Sequence, residues 1–97
     1  MPDFIFLMHD DGADAAGGDW GPYLTSLQQR GCFQGGSGIG DGACFHKGSA
    51  QPLPASDNIV GYIRVAADDL AAARALLTGN PVYEAGGVIE IRELPKG

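Results

Sequence analysis

The chain has 97 residues, of which 16 are glycine, and it carries a formal net charge of −6. This length fits one domain with a small core, since a chain of this size buries only about 60–65 % of its unfolded surface. The acidic balance argues against a nucleic-acid or anionic-membrane surface, because phosphate contacts need clustered basic side chains. The longest apolar run, Phe4 to Met8, is far too short to span a membrane. The N-terminus lacks the pattern of a signal peptide, so we expect a cytoplasmic protein.

The first third of the chain predicts a strand followed by a helix. Asp3 to His9 is mostly apolar and rich in aromatic and other β-forming residues, which predicts a buried strand. A helix is predicted from Asp19 to Arg30, with Asp19 as its N-cap and Gly31 ending it in the left-handed conformation. Its inward stripe follows helical spacing and comprises Trp20, Leu24 and Leu27.

The middle of the chain is rich in glycine and proline. Cys32 to Gln34 predicts a short strand, and Gly35 to Gly42 a flexible turn. A phosphate-binding loop is the alternative, but this run contains no lysine and no helix pattern follows it. Ala43 to His46 predicts a brief edge strand, and Gly48 to Ser56 a loop.

The last forty residues repeat the alternation of strands and helices. Asn58 to Val65 predicts a strand, and Asp68 or Asp69 caps a helix from Leu70 to Leu77. Val82 to Ala85 predicts a brief extended segment, and Val88 to Leu94 the last strand. The inner stripe expected for the second helix comprises Leu70, Ala73 and Leu77.

The predicted order is β-α-β-β-α-β, which is typical of a ferredoxin-like α+β fold in a single domain spanning residues 1–97. Such a fold has an antiparallel sheet with two helices on one face, so the other face is left bare. Here the bare face is expected to carry Tyr62, Arg64, Glu90 and Arg92. A face of mixed polarity on so small a core predicts a homodimer through the sheet faces.

Two segments resemble the YCII-related proteins of the DGPF branch. These are Gly61-Tyr62-Ile63 before a helix, and Asn80-Pro81-Val82-Tyr83-Glu84-Ala85-Gly86-Gly87-Val88-Ile89-Glu90-Ile91-Arg92 at the tail. The resemblance implies a dimeric α/β barrel in which two sheets pack face to face with the helices outside. It also implies either small lyase or dehydrochlorinase-like chemistry on ring compounds or an association with alternative sigma factors.

The chain departs from that family at two places. The Asp-Gly-Pro-Phe run that names the branch is replaced by residues from Gln51 to Asn58. The histidine that another branch carries at the start of the first helix is absent, because that helix begins with Asp19-Trp20. The resemblance therefore implies the fold more strongly than the chemistry.

The candidate catalytic residues are His9, Asp10 and Asp57. A histidine changes charge near neutral pH, and a neighbouring carboxylate that orients it makes a general acid–base unit. The alternative is a strand-end histidine whose side chain is tied to the backbone. The protein's other histidine, His46, lies beside Lys47 in a loop-like segment and is interpreted as a surface residue.

The candidate substrate-binding residues are Trp20, Tyr62, Arg64 and Arg92. Trp20 either packs in the core or covers a cleft, and Arg92 either pairs with Glu90 in an interface or holds an anionic ligand. We expect no metal and no cofactor, since Cys32 and Cys44 lack metal-ligand spacing and are expected to be reduced thiols. Two functions remain open. One is a cofactor-free enzyme acting on a small acidic molecule, and the other is a small-molecule-binding or regulatory module.

Overall fold

A computed structural model describes residues 1–9, 19–48, 50–55 and 58–95. Its architecture is α+β, as predicted, and its elements in chain order are β1 (Asp3–His9), α1 (Trp20–Gln29), β2 (Phe33–Gly38), β3 (Ala43–Cys44), β4 (Leu53–Pro54), β5 (Ile59–Ala66), α2 (Leu70–Ala75), α3 (Pro81–Glu84) and β6 (Ile89–Leu94). Among the described residues, no helix is long and apolar enough to cross a membrane.

Four of the strands form one antiparallel sheet in the order β2-β5-β1-β6. On the central strand β1, Phe6 lies opposite Ile63 of β5 and Ile91 of β6. Side chains alternate between the two faces of a strand. Phe4, Phe6 and Met8 are therefore buried on one face, while the residues between them are only half-buried on the other.

All three helices contribute to a single core on the same face of the sheet. Tyr23 and Leu27 of α1, Ala73 of α2 and Val82 of α3 are buried together with Phe6. The predicted N-caps are confirmed, since the Asp19 side chain accepts from the Gly21 amide and the Asp69 side chain accepts from the Ala72 amide. Gly31 has the expected left-handed backbone, with φ of 73°. The opposite face of the sheet has no helix on it among the described elements.

The extended segment predicted for Val82 to Ala85 is wrong, because a single helical turn, α3, begins at Pro81. The side-chain oxygen of Asn80 accepts hydrogen bonds from the Val82 amide at 3.0 Å and the Tyr83 amide at 3.1 Å. Asparagine at the N-cap and proline in the first helical position are a helix-start signal. Asn80-Pro81 therefore both ends the preceding helical segment and starts a new helix.

The inner stripe predicted for α2 is correct at Ala73 and Leu77, which are buried, and wrong at Leu70, whose side chain is 58 % exposed. Leu70 is the first residue of a helix that ends at Ala75. Its side chain instead borders solvent in the depression between α2 and β6.

The glycine-rich segment predicted as a turn begins instead as strand. β2 runs from Phe33 through Gly38 and pairs with β5. Gly36 lies opposite Ile63, and a Cβ atom at Gly36 would lie only 2.7 Å from the Tyr62 carbonyl oxygen. Glycine is therefore required at position 36 by the close approach of two backbones.

This close approach gives a stability prediction for Gly36→Ala. The added methyl group overlaps the Tyr62 carbonyl and should lower the free energy of unfolding by about 1–3 kcal/mol. The matched control is Gly38→Ala in the same strand, where the nearest atom to the new Cβ is 3.9 Å away. We expect that control to change stability by less than about 0.5 kcal/mol. Thermal unfolding of both variants checks the difference, and equal melting temperatures would contradict it.

Candidate functional site

The uncovered face of the main sheet, called the open face below, carries the candidate site. It is built from alternate residues of three strands: Asp3, Ile5, Leu7 and His9 of β1, Val60, Tyr62 and Arg64 of β5, and Glu90 and Arg92 of β6. Apolar side chains lie along its middle, and charged side chains flank them. The prediction that Tyr62, Arg64, Glu90 and Arg92 share one face agrees with this register.

His9, Glu90 and Arg92 form a hydrogen-bonded row on the open face. The Nε2 atom of His9 lies 3.0 Å from one carboxylate oxygen of Glu90. A guanidinium nitrogen of Arg92 lies 3.1 Å from the other carboxylate oxygen. The Glu90 carboxylate therefore bridges an imidazole and a guanidinium group.

The strand register places the histidine and the glutamate together. Leu7 lies directly opposite Glu90, and the backbone amide of His9 donates to the Val88 carbonyl at 3.0 Å. His9 is thus the diagonal neighbour of Glu90 across an antiparallel pair, a separation that long side chains can bridge. The pairing of β1 with β5 shifts between Met8 and His9, where β1 ends.

The contacts of Glu90 alter its acidity. The pKa of the Glu90 carboxyl is lowered, chiefly by the hydrogen bond from Arg92 and next by the hydrogen bond from His9. Both contacts favour the ionised carboxylate. Glu90 is therefore a charged acceptor for the histidine ring at neutral pH.

This arrangement can support proton transfer. A carboxylate that accepts from Nε2 fixes the orientation of the ring and its tautomer, and leaves Nδ1 as the basic nitrogen of the neutral ring. The His9 side chain is 21 % exposed, so it lies at the surface of the open face while held on one side. The Arg92 side chain is 69 % exposed and can contact an anionic group in addition to Glu90.

The second arginine of the open face lies on the neighbouring central strand. Arg64 is 3.9 Å from the Asp3 carboxylate, with its side chain 45 % exposed. Tyr62 is half-buried and lies opposite Leu7 on β1. His9 therefore shares one surface with Arg64, Tyr62 and Arg92. Residues that bind the substrate of His9 must lie on such a shared surface.

Trp20 lies elsewhere. It packs against the helix-covered core, and its ring makes an edge-to-face contact with Tyr23 at a centroid distance of 6.2 Å. This placement separates Trp20 from His9 by the thickness of the sheet. The other two predicted catalytic residues, Asp10 and Asp57, lie outside the described residues.

Sequence reasoning missed Glu90 as the carboxylate that holds His9. It paired Glu90 with Arg92, which the structure also does, but assigned His9 to carboxylates close to it in the chain or in loops. The information that identifies Glu90 as the partner of His9 is the order of the strands in the sheet. Once β6 is placed beside β1, antiparallel pairing of two strands of similar length brings Glu90 next to His9.

A shallow depression of about 380 Å³ lies where α2 meets β6, and its lining includes Asp68, Asp69 and Glu93 together with Arg92. Three carboxylates against one arginine make it a poor site for an acidic molecule. Within residues 1–9, 19–48, 50–55 and 58–95, no three histidine, cysteine or acidic side chains are grouped as metal ligands. The open face, with its two arginines, remains the better site for an acidic ligand.

No protein-family model matches the chain, and a search of curated proteins gives no significant match. Function is therefore inferred from the geometry of the open face.

The bridge through Glu90 gives a prediction about its acidity. Arg92→Gln should raise the pKa of Glu90, and by more than His9→Gln does, because Arg92 is the larger cause of the lowered pKa. Because the pKa of Glu90 is lower in the folded than in the unfolded protein, its ionised carboxylate stabilises the fold at pH values above the unfolded-state pKa. This stabilisation is lost as the pH falls through the folded-state pKa. Carboxyl ¹³C NMR titration of Glu90 measures the shift.

Arg74→Gln is the control for that titration. Arg74 is an exposed arginine on α2, on the helix side of the sheet, so its removal should leave the titration of Glu90 unchanged. A Glu90 pKa that does not move in Arg92→Gln would show that the bridge is not formed in solution.

Proposed function

We propose that the chain is a YCII-related protein of the DGPF branch that acts as a cytoplasmic, cofactor-free acid–base enzyme of the lyase or hydrolase type on a small acidic molecule. The observation that carries this proposal is the 3.0 Å contact between His9 Nε2 and the Glu90 carboxylate. A histidine oriented by a carboxylate is a recurrent proton-transfer unit.

The topology of the sheet supports a ferredoxin-like fold for the chain. In that fold the two central strands are the first and third of four, and two helices cover one face. The main-sheet strands are β1, β2, β5 and β6 in chain order, and their spatial order β2-β5-β1-β6 fits this arrangement. The helices α1 and α2 follow the first and third of these strands.

The composition of the open face supports a homodimer in which two such faces pack together as an α/β barrel. Half-buried Ile5, Leu7 and Tyr62 lie in the middle, and the charged residues flank them. An apolar centre with a polar surround is the usual anatomy of a protein interface. Packing a second face over the first would enclose His9 and Arg92 in a cavity with little water. Electrostatic interactions are stronger in such a cavity, which favours both the binding of an anion and the stabilisation of charge that develops during proton transfer.

Each residue of the enclosed site then has a role in the proposal. His9 exchanges a proton with the substrate through Nδ1, and Glu90 orients the ring. Arg92 binds the acidic group of the substrate, with Arg64 of the same face as a second cation. Tyr62 supplies an apolar ring and a hydroxyl on the same strand as Arg64, opposite Leu7.

A binding module without catalysis is the second candidate. The Glu90–Arg92 contact at 3.1 Å favours it, since a carboxylate that fixes a guanidinium group also prepares a site that binds anions. This candidate predicts ligand binding that depends on Arg92 and no turnover that depends on His9.

The two candidates separate in a proton-transfer assay with His9→Gln. A panel of small carboxylic acids is incubated with the protein in D₂O, and ¹H NMR follows deuterium incorporation and bond cleavage. Loss of a general acid–base residue should reduce the rate by about 10²–10⁴-fold. The control is Arg74→Gln, which also places glutamine at an exposed position, on α2 at the helix side of the sheet, and should retain the wild-type rate.

A His9→Gln rate within a factor of two of wild type contradicts the enzyme proposal. Binding of panel members without any turnover favours the binding module. Melting temperatures of both variants show whether a rate change reflects unfolding instead.

The dimer is tested by light scattering at high micromolar concentration. Wild type should have twice the 10.0-kDa mass of the chain. Tyr62→Glu places an unpaired charge in the middle of the proposed interface and should shift the mass towards that of the monomer. The matched control, Tyr83→Glu, changes a 43 %-exposed tyrosine of α3 and should remain dimeric. A monomeric wild type would overturn the dimer.

A further inference from the structure

The segment between β2 and β5 projects from the main sheet as an arm. The arm consists of residues 39–48 and 50–54, and every one of them is exposed. β3 and β4 pair with each other in a separate two-stranded ribbon, with Ala43 opposite Pro54 and Cys44 opposite Leu53. The brief edge strand predicted at Ala43 to His46 is therefore present but limited to Ala43–Cys44, and the loop predicted from Gly48 to Ser56 contains the two-residue strand β4.

The arm carries large apolar side chains that nothing described in this chain covers. Phe45 is 81 % exposed, Leu53 is 50 % exposed and Ile39 is 42 % exposed. A two-stranded ribbon alone is at best marginally stable in water, so a ribbon of this kind needs a surface to pack on. Every described residue of the arm is exposed, so the arm does not pack on the core of its own chain.

The base of the arm adjoins the open face at the end where His9 lies. The Ile39 amide donates to the Val60 carbonyl at 3.0 Å, and the Val60 side chain is 42 % exposed on the open face. His9 pairs with Ile59 on the same end of the sheet. The apolar surface of the arm is therefore continuous with the surface proposed above as the dimer interface.

The area of the open face indicates what covers the arm. Four strands about 4.8 Å apart and about seven residues long span roughly 19 by 23 Å, or roughly 440 Å². A stable interface buries about 800 Å² on each partner. The accessible area of the face exceeds this flat projection, and the open face is then at most comparable with one side of a minimal stable interface, to which a neighbouring surface can add. The arm is the exposed apolar surface next to the face that can add to it.

We propose that the arm clasps a second copy of this chain, with Phe45 and Leu53 as its apolar contacts, at the rim of the open face near His9. This inference rests on the homodimer proposed above and extends it. In such a dimer the clasp closes the end of the enclosed site where His9 lies, so the arm both stabilises the dimer and excludes water from the histidine. Exposed aromatic residues of this kind are common anchors of interfaces.

The clasp is tested by sedimentation equilibrium of Phe45→Ser with Leu53→Ser. Removing a buried aromatic anchor typically costs enough to weaken a dimer at least tenfold, so the dissociation constant should rise by about 10–100-fold. The matched control is Leu70→Ser, which removes a 58 %-exposed leucine from α2 on the helix side of the sheet. This control should leave the dissociation constant unchanged. Circular dichroism melts of all variants verify folding.

A second readout uses the native thiols and needs no substitution of the arm. Cys44 is exposed beside Phe45, while Cys32 is buried, so a thiol reagent reacts first at Cys44. Its reaction should slow as protein concentration rises through the dissociation constant, because the clasp shields the thiol.

The outcomes distinguish the clasp from the sheet-face dimer. If the arm variant dimerises as tightly as wild type and Cys44 reacts equally fast at all concentrations, the clasp is wrong and the face-to-face dimer stands. If the arm variant is monomeric while Tyr62→Glu remains dimeric, the clasp stands and the sheet faces are not the interface. If wild type is monomeric at high micromolar concentration, the clasp and the face-to-face dimer are both overturned.

Discussion

Among the described elements, helices cover only one side of the four-stranded sheet, and the rest of the structure follows from that asymmetry. Phe6 and Val65 are fully buried beneath the helices, whereas Ile5 and Leu7 on the other side of the same strand remain half-exposed. Among residues 1–9, 19–48, 50–55 and 58–95, all three helices lie on the first face and none lies over the second. Strand alternation therefore produces one face that makes the core and one that is available for a partner and a ligand.

The charged groups of the open face are already paired with one another, so a partner could cover them without leaving an unpaired buried charge. Charges that lose contact with water must be paired and hydrogen-bonded. Glu90 already uses both carboxylate oxygens, one towards His9 and one towards Arg92, and Arg64 lies near Asp3. Covering this face would strengthen these contacts, because fewer water molecules compete for them. The same pairing that would make burial tolerable also fixes the orientation of the histidine, so the proposed interface and the candidate site share the same residues.

Much of the fold could be predicted where the sequence carries side-chain patterns. β1 has the predicted bounds, and the alternation along β5 and β6 correctly assigns Tyr62 and Arg92 to the open face. The N-cap at Asp19 and the left-handed Gly31 were also predictable, because each reflects a local backbone requirement.

The errors fall where local patterns are weak or where two signals coincide. The glycines of β2 have no side chains to show alternation, so their strand is visible only through pairing with β5. Asn80-Pro81 is both a stop and a start signal for helices, and the extended segment predicted at Val82 to Ala85 overlooked the start. The contact of His9 with Glu90 spans most of the chain in sequence, and it depends on which strands are neighbours, which no local pattern specifies.

The measurement that tests the account most directly is an isotope-filtered NOE experiment on a mixed sample. One half of the protein is uniformly ¹³C,¹⁵N-labelled and the other half is unlabelled, so that only contacts between copies are observed. The account predicts intermolecular NOEs among the open-face side chains, in particular between the Leu7 methyl groups of one copy and the Tyr62 ring of the other. Intermolecular NOEs confined to the helix surfaces, or none at a concentration where the protein is dimeric, would contradict it.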